Sequence, residues 1–135
     1  MKKLLLLLAL PAFTLAQTPP VKNDNEIATE KLSSYDKAKA EAKKKIEAYR
    51  DRVAKGTSME LMAKTYSQDP GSAKNGGLYT GVYRGQMVEE FEKVAFNLKP
   101  GEVSEVFETQ FGYHFIQLIS DNGDTRDLRH LLIKP

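Results

Sequence analysis

From residue 35 onward, apolar side chains recur with a helical period. Tyr35, Ala38, Ala42, Ile46, Tyr49 and Val53 follow one another at spacings of three and four, which marks one face of an amphipathic helix. Ser33 or Ser34 is placed to cap its start, and Gly56 to end it in a left-handed conformation. The lysines and glutamates on the opposite face read as a solvated surface. Thr57 and Glu60 have capping-box spacing and open a second helix, with Met59, Met62, Ala63 and Tyr66 turned inward. Pro70, Gly71 and Asn75-Gly76-Gly77 then force a loop. Residues 78–83 predict a short edge strand containing Gly81, and residues 89–96 a short helix stopped by Pro100-Gly101. Residues 103–109 predict a strand, 110–112 a bend, and 113–119 a strongly β-prone run. Asp121-Asn122-Gly123-Asp124 is a hairpin signal, and 128–133 form a last strand. Helix, helix, strand, helix and three further strands predict an α+β domain, an antiparallel sheet with helices around it.

The first residues follow a different pattern. Met1-Lys2-Lys3 precedes an apolar run over 4–10, and Thr14-Leu15-Ala16 offers small residues. This is the layout of a secretory signal peptide cleaved near Ala16, with an apolar core too short to cross a bilayer; a retained membrane anchor is the alternative. Polar residues 17–32, with Pro19-Pro20 and no sustained period, read as a flexible leader. The expected division is therefore a signal peptide at 1–16, a leader at 17–32 and a single domain at 33–135. Export predicts a periplasmic or secreted protein with no stable membrane insertion once the signal is gone.

Composition excludes several classes of chemistry. The chain has no cysteine, so a lipid anchor on cysteine, a disulfide framework and thiolate catalysis are all impossible. Loss of Lys2 and Lys3 with the signal leaves 18 basic residues against 18 acidic ones. That balance supplies no general attraction to nucleic acid or to an anionic membrane. The two histidines, His114 and His130, with one aspartate are too few for confident metal ligation, so no metal or other cofactor is expected. Asp69 with Thr109 or Ser67 and a histidine imitates a hydrolase triad, but no nucleophile elbow is present.

Four blocks stand in a distinctive order. They are residues 66–77, ending in Asn75-Gly76-Gly77; Arg84-Gly85-Gln86-Met87 followed by Phe91; Gly101-Glu102-Val103-Ser104; and Thr109-Gln110-Phe111-Gly112-Tyr113-His114. Together, over about half the chain, they resemble the parvulin (PpiC-type, or rotamase) family of peptidyl-prolyl cis/trans isomerases. The resemblance implies a parvulin-like (FKBP-like) four-stranded antiparallel sheet surrounded by helices. One block departs from the family pattern. The usual Gly-Gly-Asp-Leu-Gly reads Gly76-Gly77-Leu78-Tyr79-Thr80-Gly81 here, so Tyr79 takes the place of a pocket-wall leucine.

The order of the blocks is also unusual. The family opens with a strand like Arg-His-Ile-Leu-Val-Lys, and the matching stretch here is Arg129-His130-Leu131-Leu132-Ile133-Lys134, at the other end. Two topologies fit. In one the domain is circularly permuted, and residues 127–134 supply the family's first strand; an export signal followed by about one domain's worth of chain favours it. In the other the chain is a fragment of a tandem-parvulin foldase. Permutation requires a hairpin that brings the histidines to one face. A three-residue Asp121-Asn122-Gly123 loop sets His114 directly opposite His130. A two-residue Asn122-Gly123 loop puts His130 on the other face unless a bulge intervenes.

By resemblance, Met87, Phe91 and Phe111 form the proline-binding cup, with Met87 and Phe91 at helical i, i+4 spacing. Gln86 and Tyr79 complete the substrate-binding set, Gln86 as a hydrogen-bonding partner for the substrate backbone. His114, His130, Asp69 and Thr109 match the polar catalytic floor, with the imidazoles sharing one hydrogen bond through complementary tautomers. The resemblance implies an exported isomerase acting without covalent chemistry on proline-containing unfolded or extended polypeptides, as a monomer. The competing readings are a chaperone or peptide-binding module with weak or no isomerase activity, and a fragment of a tandem foldase.

Overall fold

The structure, a computed structural model, describes residues 15–135. Most of the expected signal peptide lies outside them. Three helices, α1 (Asp24–Ala54), α2 (Met59–Tyr66) and α3 (Glu89–Asn97), accompany four strands, β1 (Leu78–Tyr83), β2 (Phe107–Thr109), β3 (Gly112–Asp121) and β4 (Thr125–Ile133). The sheet is antiparallel, in the order β1-β4-β3-β2. This is the expected α+β, parvulin-like architecture. Strand β4, which holds the stretch resembling the family's first strand, lies inside the sheet between β1 and β3.

Helix α1 starts inside the stretch read as a leader, not at Ser33 or Ser34. Asn23 Oδ1 accepts from Glu26 N at 2.8 Å while Glu26 Oε2 accepts from Asn23 N at 3.1 Å, a reciprocal capping box. Residues 24–34 are exposed, so capping and propensity hold this end rather than burial, and apolar period carries no trace of it. Helix α2 is capped by Ser58, whose Oγ accepts from Leu61 N, rather than by Thr57. Glu60 instead meets Lys64 at 2.9 Å and Arg129 at 3.6 Å. Tyr66 does not point into the core; it stacks on Tyr49 with centroids 4.3 Å apart.

The sheet separates two apolar clusters by residue parity. Tyr113, Phe115, Leu131 and Ile133 pack with Ala42, Ile46, Val53, Met59 and Met62 beneath α1 and α2. Ile116, Leu118 and Leu128 pack with Val82, Phe91 and Ala95 on the α3 face. Burying each large side chain contributes about 1.5–3 kcal/mol, so the alternation itself holds β3 and β4 in register. Strand β2 is shorter than the expected 103–109. Ser104 Oγ accepts from Ile116 N at 2.9 Å and Ser104 N donates to Ile116 O at 2.8 Å, which leaves only an isolated bridge at Val103–Gln117.

The hairpin differs from both loops considered in the sequence. Asn122 N donates to Thr125 O at 3.0 Å, so the loop is Gly123-Asp124, with φ +83° at Gly123. Asp121 faces Arg126 and Ser120 faces Asp127, but Leu118 faces Leu128, leaving Ile119 as a bulge. A two-residue loop alone would put the histidines on opposite faces; the extra residue reverses that. His114 then faces Leu132 and His130 faces Ile116, so the histidines are diagonal neighbours on the α3 face, not direct partners.

Candidate functional site

Asp69 begins a tight loop whose carbonyl accepts from Ser72 N and Ala73 N. The chain then turns through Gly76 and Gly77, with φ of +68° and +75°. Gly77 N donates to Ser72 O and Gly77 O accepts from His130 N, which ties the loop to the middle of β4. Beyond β1, Leu132 N donates to Ser67 Oγ at 3.1 Å and Lys134 N to Gln68 Oε1 at 2.6 Å. These bonds continue the grip on the last strand.

Between this loop, the end of β4 and the start of α3 lies an open cavity of about 490 Å³. Met87, Val88, Phe91, Phe111 and Leu132 make its apolar wall, with Asp69, Tyr79, Gln86, His114 and His130 also lining it. Met87 is not on the helix as expected: Val88, with ψ of 150°, is the N-cap, so α3 starts only at Glu89. Both Met87 and Phe91 nevertheless reach the same space. Phe91 is buried and stands edge-on to His114 (5.9 Å, 84°) and His130 (5.4 Å, 82°). Phe111 is 52% exposed at the rim. Gln86 Oε1 accepts from Tyr83 N at 3.2 Å, which leaves its NH₂ as that side chain's free end.

Each imidazole has its own oxygen partner. His114 Nε2 lies 2.7 Å from Thr109 Oγ1, which also accepts from Phe111 N at 3.1 Å. His130 Nε2 lies 2.8 Å from Asp69 Oδ2 and 3.0 Å from Ser72 Oγ. The rings are 5.7 Å apart and 21° from parallel. Neither buried Nδ1 has a hydrogen-bond partner, so the expected direct bond between the imidazoles is not made. Asp69 can only accept, which puts the proton of His130 on Nε2, while the Thr109 hydroxyl can pair with either tautomer of His114 at Nε2.

Electrostatics follow from these contacts. Burial first, then the neighbouring His130, pushes His114 down to about 4. Burial also lowers His130, against the pull of Asp69, so both rings are neutral at pH 7. Burial alone would raise the Asp69 carboxyl, but hydrogen bonds from Ser72, Tyr79 and His130 outweigh it and hold the group at about 2. Burial and the bond to Asp69 lift the Tyr79 phenol to about 12. Ser72 and Asp69 converge on the same Nε2 of His130, whereas a hydrolytic triad sets its serine and its acid on opposite ring nitrogens. Among the described residues, no three His, Cys, Asp or Glu side chains cluster as metal ligands.

All nine residues singled out in the sequence converge on this site. Thr109 lies beneath the cavity, bonded to His114, while the other eight line it. Tyr79 does more than form a wall, since its hydroxyl donates to Asp69 Oδ2 at 2.7 Å. Ser72 and Phe107 were missed. Phe107 stacks on His114 with centroids 5.4 Å apart, and its place two residues before Thr109 on one strand was the available signal. Nothing local distinguishes Ser72 from an ordinary loop serine.

Comparison with known proteins agrees with this geometry. The rotamase family model, described as the PPIC-type PPIase domain, matches residues 23–120. Foldase protein PrsA of Geobacillus kaustophilus (strain HTA426) is 49% identical over 67 residues, 50% of this chain and 24% of the relative. Foldase protein PrsA of Bacillus subtilis (strain 168) is 41% identical over 87 residues, 64% of this chain and 30% of the relative. Chaperone SurA of Alcanivorax borkumensis is 47% identical over 78 residues, 57% of this chain and 17% of the relative. The chain thus spans less than a third of each of these relatives.

Proposed function

Since the chain belongs to the rotamase family of PPIC-type PPIase domains, we propose that it catalyses cis/trans rotation of Xaa-Pro bonds in unfolded or extended polypeptides. The observation that carries this reading is an apolar cavity set directly on two neutral, fixed imidazoles and an ionised carboxylate. A prolyl bond resists rotation by roughly 18–20 kcal/mol because of its partial double-bond character. Rotation needs no nucleophile, only an environment that favours the twisted state over both planar ones. Met87, Phe91, Phe111 and Leu132 receive the ring and strip water from the imide. The free NH₂ of Gln86 donates to a substrate carbonyl. Thr109, His114, His130 and Asp69 form a preset polar floor that requires no reorganisation as the amide nitrogen loses its planarity.

The N-terminal pattern of Met1-Lys2-Lys3, an apolar run and Ala16 supports export, so the clients are proteins folding in the periplasm or outside the cell. No helix among the described residues is long and apolar enough to cross a membrane.

A second reading is a binding module that holds extended chains without accelerating rotation. Tyr79 in the place of the family's leucine, and the missing imidazole–imidazole bond, favour it. Exchange spectroscopy on an Xaa-Pro peptide with the purified chain separates the two. Faster cis/trans exchange supports the isomerase; peptide shift changes at an unaltered exchange rate leave the binding module.

A further inference from the structure

We propose that Ser72 and Tyr79 are positioning residues: they donate two of the three side-chain hydrogen bonds to Asp69 Oδ2 and so hold His130 as the neutral Nε2–H tautomer under the cavity. This rests on the isomerase reading only where turnover is measured. Ser72 is 1% exposed and touches no open space, so it cannot meet a substrate. Its Oγ donates to Asp69 Oδ2 at 2.6 Å and accepts from His130 Nε2, 3.0 Å away. Tyr79 closes the same oxygen from the other side at 2.7 Å, and its ring leans on His130 with centroids 5.1 Å apart.

With its other lone pairs occupied, Asp69 orients the His130 proton without drawing a second one to the ring. Removing either donor leaves a more basic carboxylate that keeps the other donor and His130 on Oδ2, and the imidazolium form gains. Few other charges face His130. His114 adjoins it from β3, and Phe91 on α3 carries no charge. Arg129, its neighbour on β4, is engaged with Glu60 of α2 and with the Asn75 and Gly76 carbonyls. Lys134 stands at the cavity rim.

Three variants separate positioning from packing. Ser72→Ala and Tyr79→Phe are each expected to lower kcat on an Xaa-Pro peptide about five- to tenfold with little change in KM. Each also moves the acidic limb of the kcat profile up by about half a pH unit. Tyr79→Leu, which removes the wall as well, raises KM in addition. In ¹⁵N spectra the His130 ring, a neutral Nε2–H species in the parent, gives way to imidazolium at a higher pH in the first two variants.

An unmoved acidic limb together with an unchanged His130 titration in both Ser72→Ala and Tyr79→Phe overturns the proposal. If the parent protein fails to accelerate exchange, the isomerase reading falls, and the His130 titration together with that of the Asp69 carboxyl decides positioning alone. If Ser72→Ala does not fold, Tyr79→Phe decides, because it removes one hydroxyl from a partly exposed ring.

Discussion

Gly77 and His130 meet backbone to backbone: His130 N donates to Gly77 O at 3.0 Å, and a Cβ on Gly77 would overlap the His130 carbonyl oxygen. The same Cβ would stand 3.0 Å from Ala63 Cβ, and the residue has φ of +75°. The loop carrying Asp69 therefore reaches β4 only through a glycine.

Gly77→Ala is expected to cost at least about 3 kcal/mol, since left-handed strain adds to a clash with backbone that cannot swing aside. Urea unfolding measures the loss. A variant within about 0.5 kcal/mol of the parent would show that the loop sits further from β4 than described.

Ile119 is the one residue of β3 without a partner, between Leu118–Leu128 and Ser120–Asp127. Deleting it joins those two pairs into a regular ladder, which keeps the Gly123-Asp124 loop, the His114–Leu132 and Ile116–His130 pairs and the common face of the histidines. The expected outcome is a variant that keeps cooperative unfolding and dispersed amide spectra. Loss of both would mean that the strands pair in a different register.

Phe91 and Phe111 line one cavity but differ in burial, and their alanine variants should differ accordingly. Phe91→Ala empties a core site and is expected to cost about 3–5 kcal/mol together with activity. Phe111→Ala is expected to change stability by less than about 1 kcal/mol while raising KM for a prolyl peptide. Equal stability losses would contradict the rim position of Phe111.

His114 is held down to about 4 by burial, against a value near 6.5 in the unfolded chain. Between these values the unfolded state binds more protons. The contribution is therefore full above pH 6.5 and is lost as pH falls through 4, amounting to about 3 kcal/mol. His130 is lowered in the same direction and adds to the slope. Asp69, held at about 2 against 3.8, keeps its contribution above pH 3.8 and loses it as pH falls through 2. Urea midpoints at pH 7, 5 and 4 test this; a flat profile would mean that His114 is charged or solvated.

Much of the architecture was written locally. The inward face of α1 at Ala42, Ile46 and Val53, the punctuation at Pro70 and Gly76-Gly77, and the β-prone runs along 113–119 and 128–133 each arise from residues a few positions apart. Period, turn chemistry and glycine content act at that range, so element types and their order followed from the chain. The start of α1 did not, because its first turns bury nothing and rest on the Asn23–Glu26 capping box.

What only the tertiary structure decided concerns parity and distance. One unpaired residue, Ile119, sets which face all of β4 presents, and pairing energy summed over both strands, not the turn residues, chooses its position. Ser72 became part of the site because loop closure at Gly77 places it within 3.0 Å of His130, 58 positions away in the chain. Local propensity carries no information about such a meeting; it exists only once two separate cores have drawn β4 into the middle of the sheet.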